Sequence, residues 1–186
     1  LEVPLKFEFS NVPAGYDPAE LNASISPATI RIAGAADTVD GIESVNAGFI
    51  NLARVQLGKA ETLKIQLSEG LVNVDDVQEA TVTFDTSGYG EPRAITVSDI
   101  RVVNAPSGVD VKVITESINN VTLVGEAEEL AAISPSDVIA QVDASAQNIT
   151  VKGSGQQQFS AQIIVTGTKT VFATGAYSVL CDITVK

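Results

Sequence analysis

"SNVPAGYD" at residues 10–17 returns as "VNAPSGVD" at residues 103–110, with Asn, Pro, Gly and Asp at the same spacing in both. In each copy Pro presets φ and the Gly two residues on supplies the freedom Pro lacks, so each stretch reads as a polar turn between two strands. The likeness spreads outward from there. "TIRIAGAADTVDGI" (29–42) lines up with "NVTLVGEAEELAAI" (120–133), setting Ile30, Ile32, Gly34, Val39 and Ile42 against Val121, Leu123, Gly125, Leu130 and Ile133. "AGFINLA" (47–53) falls on "AQVDASA" (140–146), and "EATVTFD" answers "YSVLCDITV" as a closing strand. The offset drifts between 91 and 93, as loops allow in a duplicated domain.

Hydrophobic alternation of period two runs through both copies. Val3, Leu5, Phe7 and Phe9 alternate with Pro4, Lys6 and Glu8; Leu63, Ile65 and Leu67 with Lys64, Gln66 and Ser68; Ala80, Val82 and Phe84 with Thr81, Thr83 and Asp85. Tyr177, Val179, Cys181, Ile183 and Val185 share one face of a last strand. Each run puts one face in a core and leaves the other wet, and Gly and Pro clusters divide the runs at short intervals. Helical signals are short. "GEAEELAAISP" (125–135) holds about two turns, with acids early and Pro135 as the stop. "GAADTVDGIES" (34–44) sits at the matching place, and its Gly41 leaves little more than one turn.

The fold class expected is therefore all-β with short helical turns, in two homologous domains over residues 1–92 and 93–186. "DTSGYGEPR" (85–93) is the Gly/Pro-rich joint, too short for a floppy tether, so the domains are expected to stack end to end. Domains of this size build a core without disulfides or metals, and the lone Cys181, on the apolar side of its strand, reads as an inert buried thiol.

Composition excludes several classes of function. A net charge of −12 repels phosphate backbones, so nucleic acid is not expected as a partner. The sequence has no His, so neither a Ser-His-Asp nor a Cys-His arrangement can be built, and His-based or Cys-rich zinc sites are gone too. No apolar run reaches the roughly 18 residues of a membrane helix. The absence of Met marks Leu1 as a processed or excised end, with an upstream anchor expected to have been cut away.

The remaining candidates for chemistry are weak. Asp75, Asp76 and Glu79, and Glu126, Glu128 and Glu129, form two acidic clusters that could suit calcium, yet neither shows the D-x-D-x-D-G ladder, and a solvated acidic face is the plainer reading. Paired carboxylates could also serve glycoside hydrolysis, but three Tyr and no Trp leave few platforms for a sugar. "KGSGQQQF" (152–159) lacks the G-x-x-x-x-G-K-[ST] pattern and reads as a hairpin turn. Tyr16 and Tyr89 sit in turns where they could meet a partner, and packing over the joint explains Tyr89 equally well. Asn22, Asn120 and Asn148 head chance sequons. No catalytic, cofactor-binding or metal-binding residue is assigned.

The order of these signals resembles the YbbR domain: a strand into N-x-P-x-G-x-D, an apolar strand ending in Gly, a short Val/Leu-x-x-Ile element, then V-D-A-S. The residues carrying it are Asn11, Pro13, Gly15, Gly34, Val39 and Ile42, then Asn104, Pro106, Gly108, Gly125, Leu130, Ile133, Val142 and Asp143. "SPATIRIAG" (26–34) looks like the family's P-x-x-V-x-V-x-G strand; the second copy has Asn120 near the place of that proline, and the first has Asn51 where the second has Asp143. The resemblance implies mostly-β, non-catalytic modules, similar to the C-terminal domain of a ribosomal protein. They occur in several copies outside a bacterial membrane behind one N-terminal helix. It further implies a protein partner, a membrane diadenylate cyclase whose cyclic di-AMP synthesis the modules regulate. The competing expectations are a calcium-stabilised surface adhesin and a small carbohydrate-active enzyme.

Overall fold

A computed structural model describes all of residues 1–186, and the chain divides into two compact units. The first comprises Leu1–Asn11 and Leu21–Ser87; the second comprises Val12–Glu20 and Gly88–Lys186. In both, strands are the main regular structure, as the period-two alternation leads one to expect.

In unit 1, β1 (Glu2–Ser10) is the central strand. Its first half pairs antiparallel with β3 (Thr29–Ala33), and its second half pairs parallel with β4 (Val45–Asn51). Between β3 and β4 the chain makes the single turn α1 (Ala36–Val39), and β6 (Val72–Asn73) adds to β3. A second, three-stranded sheet sets β7 (Glu79–Phe84) between β2 (Ala23–Ser26) and β5 (Glu61–Lys64). Val3, Leu5, Ile30, Ile32, Val45, Ala47 and Ala80 form the core.

Unit 2 repeats this order strand for strand. β8 (Arg93–Val97) and β9 (Asp99–Val103), divided only by Ser98, stand for the two halves of β1. β8 pairs antiparallel with β11 (Ile118–Val124) and β9 parallel with β12 (Val138–Asp143). α2 (Ala127–Ala132) fills the crossover, and β14 (Phe172–Thr174) adds to β11 as β6 does to β3. β15 (Tyr177–Val185) lies between β10 (Val109–Val113) and β13 (Ser154–Val165), as β7 lies between β2 and β5. The turn motif has one backbone in both copies: Asn11 and Asn104 take φ of 50° and 52°, and Gly15 and Gly108 take 83° and 78°. Asn is among the few side chains that tolerate this left-handed region, and Gly meets it without penalty.

Several sequence expectations need correction. The alternation at residues 63–67 suggests a strand, but β5 ends at Lys64; the Ile65 N–H makes one more bond, to the Gln78 carbonyl at 2.9 Å, and Leu67 packs on the core beyond it. "KGSGQQQF" is mostly strand rather than hairpin turn: β13 starts at Ser154, and only the stretch at Gly153, with φ of 79°, turns. Pro135 opens a 3-10 turn, Pro135–Asp137, under a Ser134 capping box, so it begins an element as well as following one. Cys181 is fully buried, and burial pushes its thiol pKa up, as the apolar face suggests.

An open strand edge in the first unit

The two copies part at β4. In unit 2 its counterpart β12 is paired on both sides, parallel to β9 and antiparallel to β13, and its side chains alternate without a break. In unit 1 β4 is the last strand of its sheet, in the order β4-β1-β3-β6, and β5 runs close by without joining it. Every other backbone N–H and C=O of such a strand points outward with no ladder partner.

A bulge sets the side chains of this edge. Lys6 pairs with Asn46 and Glu8 with Phe49, so three residues of β4 span the space of two on β1. Gly48 takes the extra place at φ 137°, and its N–H donates to Asn46 Oδ1 at 2.8 Å. The slip turns Phe49 out of the alternation begun by Val45 and Ala47, leaving it 60% exposed while Ile50 is buried. Beside it Asn46 Nδ2 donates to Glu8 Oε1 at 3.0 Å.

The alignment of residues 47–53 on 140–146 is corrected by this bulge. Across the parallel partner, Phe9 faces Ile50 and Val102 faces Val142, so Ile50, not Phe49, stands at the place of Val142. Phe49 stands at the place of Gln141, on the wet face. After the bulge the copies rejoin: Asn51 Oδ1 accepts from Ala53 N–H, and Asp143 Oδ1 accepts from Ser145 N–H, so Asn51 does the local work of Asp143. In unit 2 this turn is also tied to the motif, because Asn104 Nδ2 donates to Asp143 Oδ2 at 3.0 Å. The exposed Phe was not singled out from the sequence; a Gly inside an alternating run is the signal that could have found it.

The acidic clusters do not converge, and no three acids come together at either. Asp75 takes the Arg31 backbone N–H and Nε, each at 2.7 Å, and this pairing holds its carboxyl below the usual range. Asp76 accepts from Gln78, on a turn at φ 54°. Glu129 receives the hydroxyls of Thr168 and Thr170 and fastens the loop before β14. Tyr16 and Tyr89 both belong to unit 2 and are half-buried there, with the Tyr16 ring 4.5 Å from that of Phe172. Burial raises both phenol pKa values, and neither hydroxyl has a hydrogen-bond partner of good geometry.

Two all-β units thus share one strand order and differ at the β4 edge. A family model described as "YbbR-like protein" matches residues 3–99, more than half of the chain, and the chain belongs to that family. Among solved structures it is similar to a YbbR-like protein from Streptococcus pneumoniae TIGR4, at 17% identity over 100% of this chain and 92% of that one, with a TM-score of 0.33. No curated protein matches. No helix is long and apolar enough to cross a membrane.

Proposed function

We propose that this chain is a non-catalytic regulatory module that works by protein–protein contact, held outside a bacterial membrane by an anchor beyond residues 1–186. Its partner in this reading is the membrane diadenylate cyclase that makes cyclic di-AMP. Membership of the YbbR-like family supports that choice of partner. The observation that carries the contact reading is the open β4 edge with Phe49 60% exposed upon it. A partner strand laid along β4 gains main-chain hydrogen bonds, and a pocket for the Phe49 ring supplies selectivity. Aromatic anchors of this kind concentrate binding energy, with truncation costing about 2 kcal/mol or more at a true hot spot.

The test is cyclic di-AMP output from the same organism's cyclase, co-expressed with the membrane-anchored module, with a Phe49→Asp form of it, or alone. A change in output that Phe49→Asp removes, with that variant folded and exported, is the expected result. Output that stays the same with and without the folded, exported module would remove the cyclase from this reading.

A further inference from the structure

Unit 2 contains a cover that unit 1 lacks. Residues 88–90 lie across the end of β11 and the start of α2. The Gly90 N–H donates to the Gly125 carbonyl at 3.0 Å, the Ala127 N–H donates to the Gly88 carbonyl at 2.8 Å, and Tyr89 bridges antiparallel to Glu126. A Cβ on Gly90 would stand 3.2 Å from both Ala127 Cα and Leu130 Cδ2, so the bare backbone is what packs here. Beneath this cover Val124, Gly125, Leu130 and Ile133 are all buried.

At the matching places in unit 1, Ala33 and Gly34 are exposed and Val39 and Ile42 are only half-buried. With Leu1 and Ala36 they line an open groove of about 560 Å³. A second piece of cover is present in both copies, since the Gly70 carbonyl and Leu71 crowd Gly34 as the Thr170 carbonyl and Val171 crowd Gly125. What is missing is the counterpart of residues 88–90. The Gly34 carbonyl and the Ala36 N–H match the two groups that bind the cover in unit 2, and neither has a hydrogen-bond partner.

The register says from where the cover would come. Arg93 faces Leu123 across the β8–β11 ladder. Leu1 faces Ile32 in the same way, its amine donating to the Ile32 carbonyl and its carbonyl accepting from the Ile32 N–H. Leu1 therefore stands where Arg93 stands, and polypeptide continuing β1 backwards by three to five residues runs along the groove.

We propose that this groove is the seat of an extended Gly-aromatic-Gly stretch running into Leu1 from its N-terminal side, as residues 88–90 run into Arg93. The glycine three residues before Leu1 is required by the close approach to Ala36. The seat does not depend on the identity of the partner that β4 meets.

The experiment places Thr-Ser-Gly-Tyr-Gly-Glu-Pro, the sequence of residues 86–92, directly before Leu1 of the full chain. A control extension carries Val for both glycines and Ser for Tyr. Exchange of the Ala36 amide is expected to slow about tenfold or more with the first extension and not with the control. NMR shifts should move at Gly34, Val39 and Ile42. Ala36→Leu, at an exposed position, should leave the unextended chain folded and cancel the protection. Equal Ala36 exchange in the two extended chains would overturn the seat. Protection by the free heptapeptide, at equimolar concentration, as strong as that from the fused one would overturn its covalent source.

Discussion

β4 and β12 begin alike and end in different situations. Both follow a short helical turn, β4 runs parallel to the second half of β1 as β12 does to β9, and both close on an Asx turn, at Asn51 and at Asp143. Yet β12 is interior and regular, whereas β4 is an edge with a bulge at Gly48 and an exposed Phe49. The cores differ in the same sense. Nineteen buried side chains gather in the cluster of unit 2 and seven in that of unit 1, so unit 1 is the one expected to open first. Duplication has kept the strand order in both copies, but pairs β12 on both sides and its counterpart β4 on one side only.

The largest effect that would sharpen this contrast compares two phenylalanines. Phe159 on β13 is fully buried, and Phe159→Ala should cost about 3–5 kcal/mol in chemical denaturation. Phe49→Ala should stay within about 0.5 kcal/mol, because its ring is already in water. A large loss at Phe49 would mean that β4 is covered after all.

A middle-sized effect compares the two strand-ending glycines. A Cβ at Gly125 would fall 2.6 Å from the Thr170 carbonyl oxygen and 2.7 Å from Val171 Cα, with little room to yield. At Gly34 the nearest atom is the Gly70 carbonyl oxygen at 2.9 Å, on a more exposed loop. Gly125→Ala should cost about 3 kcal/mol and Gly34→Ala about 1 kcal/mol by thermal unfolding. The reverse order would break the proposed equivalence of the two positions.

The smallest effect is acid dependence. The Arg31 side chain and backbone hold the Asp75 carboxyl low, and Ser145 with Asn104 does the same for Asp143. A carboxyl with a depressed folded pKa gives its full stabilisation above the unfolded value of about 3.9 and loses it as pH falls through the folded one. Both units should therefore weaken below about pH 4. Asp75→Asn should flatten the dependence for unit 1 alone, read by residue-resolved unfolding. A change confined to unit 2 would contradict the Arg31–Asp75 pairing.

The duplication was legible because its markers are local. An Asn in the left-handed region, a Pro and a Gly declare the same turn twice whatever surrounds them, and alternation places Ile30, Ile32, Val121 and Leu123 in the core. What stayed hidden depends on partners distant in sequence. Period two carries Val45 and Ala47 inward and would carry Phe49 with them; only the pairing with β1 reveals the slip. Residues 63–67 alternate like a strand, yet a ladder needs a neighbour that alternation cannot supply. The grouping of Val12–Glu20 with unit 2 rests on contacts such as Tyr16 with Phe172, far along the chain.

Amide hydrogen exchange on β4 and β12 tests the central contrast most directly. The amides of Ile139, Ala140 and Gln141 should all be protected, those facing β9 and those facing β13 alike. Along β4 protection should alternate, with the amides that face β1 slow and those that face outward fast. Uniform protection along β4, equal to that of β12, would contradict an open edge.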